Sequence, residues 1–439
     1  MGNDAVPGVG ARLRALATGE VSAVALAERD LARIAATEAA IEAWAWLDPA
    51  QVRAAATRCD AAPATARGPL HGIGVGVKDI IATATMPTQM GSPVHAGHRP
   101  TADAACVRLL QAAGGYVFGK TVTTAYAFLD PGKTRNPWHA GHTPGGSSSG
   151  SAAAVAAGQV AAALGTQTNG SVIRPAAYCG VVGFKPTRGS IPLDGVHVFS
   201  ETLDQVGVFA RSIADAGLVA GAVAAPGWNA PVIAHVPVRP TIGWLAGFPW
   251  TRLDTEAADR LDAVQAQLRA VADIRPIDLP DGLLAADRTH RTIMLFEGAR
   301  NLGALQDRER ARLSPKLNAA LDEGRMTGEA DYAAALVARE RARVVAAAWL
   351  TGFDAVAAPP APSAAPAGLG STGDPACCTL WSLLGYPALT LPVALTAAGL
   401  PLGLQLAASD GDDLRLLALA GWCEARLPPV PRAVVAGAR

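Results

Sequence analysis

TPGGSSSGSAAAVAAGQVAAALGTQTNGSVIRPAAYCGVVGFKPTRG, residues 143–189, sets two polar loops on either side of a small-sided helix and a strand. The first loop, residues 145–151, is glycine and serine throughout. The Ala-rich run after it lacks the large apolar stripe of an exposed amphipathic helix and reads as a buried one. Residues 160–164 read as a short buried strand, and residues 165–171 form the second loop, with a hydroxyl among backbone amides. Glycine permits positive φ and close backbone approach, so both loops can present N–H groups to a ligand. A single Gly/Ser loop is equally a linker. Two of them flanking a tightly packed Ala helix argue against that.

Around this segment the composition is that of a large globular protein. Half of the 439 residues are hydrophobic and 17% are charged, enough for a sizeable core. Lys+Arg and Asp+Glu are both 37, so nothing points to nucleic acid or an anionic membrane surface. The six cysteines are irregularly spaced with no C-x-x-C pair, which predicts isolated buried thiols rather than a disulfide framework or zinc site. His139 and His142 stand three apart, but in apparent loop, and no metal site is assigned. The N-terminus lacks an apolar signal core, and Val6 spoils the N-myristoylation pattern. The uncharged stretches 216–234 and 377–409 are broken by Pro and Gly and read as buried strands and loops, not membrane spans. A cytoplasmic protein is expected.

Along the chain, residues 20–60 carry helical patterning, with Leu26, Leu31, Ile34 and Ile41 at helical spacing, and residues 1–65 are expected to form a helical layer. Residues 72–81, GIGVGVKDII, read as an apolar strand ending at Lys78 and Asp79. The third glycine of G-x-G-x-x-G is missing, so the dinucleotide reading is weak. Lys78 at the end of an apolar strand is open to two readings: it snorkels or pairs with Asp79, or it is held neutral as a base. Residues 101–111 read as a helix, 116–119 and 204–210 as strands, and Ser212 as the N-cap of the next helix. Residues 225–350 turn Arg-, Ala- and Glu-rich and read as a helical insertion beside the sheet.

GGSSSGSAAAVAAG, then GTQTNGS, then IRPAAYCGVVGFKPT together resemble the signature of the amidase signature family of serine hydrolases, with matching segments over residues 72–211 and 354–405. The resemblance implies an α/β fold: one α/β/α domain over residues 1–439 with a large mixed sheet covered by helices. Residues 66–215 and 350–439 would form the catalytic core and 225–350 a substrate-shaping insertion. It further implies that Ser171 is the nucleophile, that Ser147 is the bridging serine after a cis peptide, and that Lys78 is the base. Cleaving an amide needs a nucleophile, a base, an acid for the leaving amine and donors for the oxyanion. The backbone of Thr168, Asn169, Gly170 and Ser171 is the candidate oxyanion hole. Lys78 would draw a proton from Ser147 as Ser147 draws one from Ser171, and the reversed relay would protonate the departing amine. Gly145, Gly146, Ser148 and Arg174 are the substrate-binding candidates.

No histidine lies in either loop. A Ser-His-Asp triad would have to draw one from elsewhere, and no G-x-S-x-G elbow surrounds Ser171. The G-K-[ST] end of a P-loop is also missing. Four features depart from the family pattern. Ala125 and Tyr126 stand where an acidic-aromatic pair is common, Gln167 replaces an Asp, Asn169 replaces a Gly that left-handed backbone would suit, and Arg174 falls one place late. The last favours a malonamidase-like branch over the tRNA-linked amidotransferase. Arg174 either binds a substrate carboxylate bidentately or ties the loop down. Two functions stay open: a stand-alone amidase for a small-molecule amide, or the glutaminase-like component of a multi-subunit amidotransferase. No cofactor, metal, nucleic acid or membrane is expected as partner, and the oligomeric state is undecided, a homodimer included.

Overall fold

The computed structural model describes residues 6–228 and 236–435. The first five residues, which bear on the expected absence of a leader, and the end of the uncharged stretch 216–234 lie outside them. The chain opens with α1 (Val9–Ala17), α2 (Ala23–Ile41), β1 (Trp44–Trp46) and α3 (Pro49–Ala61). Then come β2 (Gly74–Lys78), α4 (Ala105–Ala112), β3 (Tyr116–Thr121), α5 (Ser149–Ala156), β4 (Ala162–Gln167) and α6 (Ile173–Cys179). After β5 (Val182–Lys185), β6 (Gln205–Ala210) and α7 (Ile213–Val223) follow β7 (Thr241–Trp244), α8 (Thr255–Arg269) and β8 (Asp273–Pro276). The remainder is α9 (Ala286–Glu309), α10 (Pro315–Met326), α11 (Glu329–Leu350), β9 (Ala355–Ala358), α12 (Thr379–Leu384), β10 (Ala388–Leu395), β11 (Pro401–Ala407) and α13 (Asp413–Glu424).

The strands form one mixed sheet in the order β1-β3-β2-β4-β6-β5-β10-β11-β9-β7-β8. β2 runs parallel to both β3 and β4, whereas β4, β6, β5, β10, β11 and β9 alternate antiparallel. Every residue of β2, β3, β4, β5, β6 and β11 is buried, so both faces of the central sheet are covered. The expected α/β architecture is what the chain adopts.

The glycines of β2 have a packing cause. A Cβ on Gly74 would lie 2.5 Å from the Phe118 ring, and one on Gly76 would lie 3.1 Å from Thr121 Cγ2. They let β2 nest against β3 and are no nucleotide motif. All eight residues of α5 are buried. On Gly150 a Cβ would strike Ala43 O and Val122 N at 2.3 Å, which is why the helix that follows the first loop is small-sided.

Two expectations need amendment. The helical pattern of residues 20–60 breaks at Glu42, whose φ of 55° ends α2, and Trp44–Trp46 become the edge strand β1. Residues 225–350 hold α8 to α11 but also β7 and β8, a parallel pair that extends the sheet through β9. Four-residue strands carrying a Gly or a Pro leave too short an alternation to stand out between long helices. Ser212 caps α7 as expected, its hydroxyl accepting from the Asp215 amide at 3.1 Å. No helix among the described residues is long and apolar enough to cross a membrane.

Candidate active site

Lys78 ends β2 in the middle of the sheet, between β3 and β4, and is fully buried. Its Nζ lies 2.7 Å from Ser147 Oγ and 2.7 Å from Thr166 Oγ1. Ser147 follows a cis peptide at Gly146 in the loop between β3 and α5, and Thr166 comes from β4. Burial pushes the Lys78 amine down to about 7, with the charge of Asp204 acting the other way. Asp79 does not neutralise this effect. Its side chain turns to Lys120, 3.5 Å away, and to the Gln89 amide at 3.1 Å.

The second loop leaves β4 and turns into α6. Its carbonyls are held by the protein: Thr168 O by His290 Nε2 at 3.0 Å, Asn169 O by the Ser382 hydroxyl, Gly170 O by the Arg174 amide at 3.0 Å. Its amides are not. Among the described residues, the N–H groups of Thr168, Asn169, Gly170 and Ser171 donate no hydrogen bond. Gln167 fixes the far end of the turn, Oε1 accepting from the amides of Val172 (2.8 Å) and Ile173 (3.0 Å) and Nε2 donating to Ser382 (2.9 Å). The Gln therefore does the work of a neutral cap. Asn169 is not left-handed as its replacement of Gly suggested; the positive-φ non-glycine residues described are Glu42, Met90, Tyr126 and Ala127. The Asn169 side chain instead accepts from Thr379 at 2.9 Å. Ser171 makes no side-chain hydrogen bond among the described residues and is 8% exposed, against 1% for Ser147. No Ser147–Ser171 hydrogen bond is made, and such bonds often tighten only around bound substrate.

Arg174 is buried and has no carboxylate partner in hydrogen-bond reach among the described residues. Its Nη2 donates to Gly146 O at 2.7 Å and Thr372 Oγ1 at 3.1 Å, while Nε and Nη1 are buried and unpaired. Gly145, at φ +79°, packs on Pro175 so closely that a Cβ would approach it to 2.8 Å. On Gly146 a Cβ would come within 2.7 Å of Thr372. Ser148 is fully buried and bonds the Thr166 carbonyl (3.1 Å) and amide (3.2 Å), tying the first loop to β4. His139 and His142 lie apart from this cluster, edge to face at 4.7 Å, with His142 bonded to Ala365 O. A wide surface cleft of about 760 Å³, lined by Arg58, Cys59, His71 and Tyr116, contains none of these groups.

Sequence reasoning did not find Thr166, Asp204 or His290. Thr166 was visible within the motif, two residues along the strand from Leu164. Asp204 accepts from the Thr168 hydroxyl and reaches the site from the start of β6. His290 comes from α9, more than a hundred residues away, and nothing local marks it.

The profile of the family described as Amidase matches residues 25–417. The A subunit of the glutamyl-tRNA(Gln) amidotransferase of Anaeromyxobacter dehalogenans (strain 2CP-C) is 34% identical over 468 residues, 94% of each chain. Its counterpart in Chloroflexus aggregans (strain MD-66 / DSM 9485) is 45% identical over 203 residues. That match spans 44% of this chain and only 42% of that relative. A crystal structure of an amidase superposes with a TM-score of 0.88 at 32% identity, covering 96% of this chain and 100% of that one. None of the three singles out the malonamidase-like branch that the place of Arg174 favoured. With a family match over most of its length and a full-length relative at 34% identity, this chain belongs to the Amidase family and is an enzyme acting on C–N amide bonds.

Proposed function

We propose that the chain cleaves a carboxylic amide through an acyl-enzyme on Ser171, with Ser147 and Lys78 as the proton relay. The single observation that carries this is the buried contact of Lys78 with Ser147 beside a turn whose four amides are unused. A neutral amine at Lys78 has two N–H groups and one lone pair. It donates one N–H to Thr166 and accepts the Ser147 proton on the lone pair. Ser147 in turn accepts from Ser171 as Ser171 Oγ attacks the carbonyl carbon. The amides of residues 168–171 receive the negative charge that develops on the carbonyl oxygen, where preorganised donors lower the barrier most. Returning the proton through Ser147 to the departing nitrogen frees the amine, and water attacks the ester to release the carboxylate.

A second reading is favoured by the curated relatives, which are named as A subunits of a glutamyl-tRNA(Gln) amidotransferase. On that reading the amide is glutamine and the ammonia passes to partner subunits. Ammonia release from a panel of simple amides and acyl hydroxamates by the purified chain decides between them. Turnover by the chain alone supports the stand-alone enzyme. Turnover of glutamine confined to a complex with partner subunits supports the second.

Both readings admit a substrate that carries a carboxylate, and Arg174 has two unpaired buried nitrogens for one. Arg174→Lys is then expected to lower kcat/KM for carboxylated amides by about tenfold or more, because a point charge does not replace a guanidinium fork. Uncharged amides should lose far less. Equal losses on both, with a lower melting temperature, would assign Arg174 to the tie it makes with Gly146.

A further inference from the structure

Among the described residues Lys78 has no carboxylate in hydrogen-bond contact; its Nζ touches the hydroxyls of Ser147 and Thr166. The adjacent acid, Asp79, is engaged with Lys120. Position 167, where the family pattern has Asp, is a glutamine bonded to Val172, Ile173 and Ser382. The negative charge that acts on Lys78 comes from Asp204.

Asp204 is 5% exposed, and both of its oxygens are engaged. Oδ1 accepts from the Thr168 hydroxyl, and Oδ2 accepts from the amides of Phe199 (2.7 Å) and Ser200 (3.3 Å). Thr168 opens the turn that ends at Ser171, and its carbonyl is held from α9 by His290. One carboxylate therefore grips the nucleophile's turn while its charge acts on the lysine. Holding a hydroxyl and two amides does not require a charge, and burying a carboxylate with no cation bonded to it is unfavourable.

We propose that Asp204 is a positioning residue of this site, holding through Thr168 the turn that presents Ser171 and supplying the negative charge that faces Lys78. This deepens the function proposed above and rests on Lys78 being its base. The two nearby histidines are uncharged at neutral pH. Burial depresses His197, whose ring senses Lys78, to about 4, and depresses His290 to about 4 as well. Glu297 of α9 lies one layer back, its carboxylate taken up by Ser200, by Thr202 and by Tyr332 at 2.6 Å. Burial raises Asp204 to about 6, while its three hydrogen bonds and the charge of Lys78 favour the carboxylate. An anion stabilises the ammonium form. Its loss should free the amine at lower pH.

The test is the rate at which a fluorophosphonate probe labels Ser171 as a function of pH, a readout that needs no known substrate. In the wild type this rate should climb through a midpoint near 7. Asp204→Asn can keep every contact, its Oδ1 accepting from the two amides and its Nδ2 donating to Thr168. It should move the midpoint down by about half a pH unit or more. Thr168→Val removes the grip and keeps the charge, so labelling should slow with the midpoint in place. Should Asp204→Asn not fold, Asp204→Ser gives up the charge with the same expected shift. An unmoved midpoint in the uncharged variant, or an equal shift in Thr168→Val, overturns the inference. A wild-type profile without a midpoint, or one that survives Lys78→Ala, refutes instead the assignment of Lys78 as base.

Discussion

Ser171→Ala is expected to lower kcat by about four to six orders of magnitude while leaving the fold intact, as removal of a serine nucleophile does elsewhere. The side chain makes no hydrogen bond among the described residues and is the most exposed member of the Lys78–Ser147–Ser171 set, so its loss removes no packing support. Thermal melts of wild type and variant should coincide. What activity survives would come from the turn amides and substrate binding alone. On the proposed relay the three residues act as a unit, so Ser147→Ala combined with Ser171→Ala should be no worse than Ser171→Ala by itself.

The second large effect belongs to Lys78. A lysine in water titrates near 10.4 and would offer almost no free amine at neutral pH. Burial brings Lys78 from 10.5 to about 7. At about 1.36 kcal/mol per pH unit, that is on the order of 5 kcal/mol against the ammonium form. The depressed value means that the amine is free above about 7 and protonated below it. Wild-type kcat/KM should therefore rise with pH through an ionisation near 7 and then level off. Lys185, also buried and brought to about 7, titrates in the same range. Its amine, at the end of β5 and three strands along the sheet from β2, bonds Gln205 Oε1 at 2.8 Å and the Tyr386 carbonyl. Lys78→Ala separates the two. That variant should lose about two to four orders of magnitude in kcat/KM together with the ionisation. Lys78→Arg should not restore it, since a guanidinium stays charged. Near-wild-type activity in Lys78→Ala with the same pH profile would rule out this base.

The parts of the site that the sequence showed are those built from local pattern. An apolar strand that ends in lysine, two polar loops and the small-sided helix between them were legible because each is one continuous segment, although Ser149–Ser151 of the first loop belong to α5 and Gly165–Gln167 of the second to β4. Ser148 is a partial case: it was a substrate-binding candidate, but its hydroxyl bonds Thr166 and holds the first loop to β4. Asp204 and His290 could not be read, because what makes them matter is their approach to Thr168 across the fold. The missing strands β7 and β8 failed for a different reason. Four residues carry too little alternation, and their place at the sheet edge comes from pairing with β9 rather than from their own pattern. Asn169 stands in place of a Gly without taking left-handed backbone, since tolerance of that region does not oblige a residue to occupy it.

The proposed chemistry stands or falls on which oxygen carries the acyl group. Wild-type protein labelled to completion with a fluorophosphonate, digested and mapped by mass spectrometry reads that directly. The adduct should sit on the peptide containing Ser171, at Ser171, and labelling should be absent from Ser171→Ala and slowed in Ser147→Ala and Lys78→Ala. An adduct on Ser147, on Ser148 or on any serine outside the turn, persisting in Ser171→Ala, would contradict it.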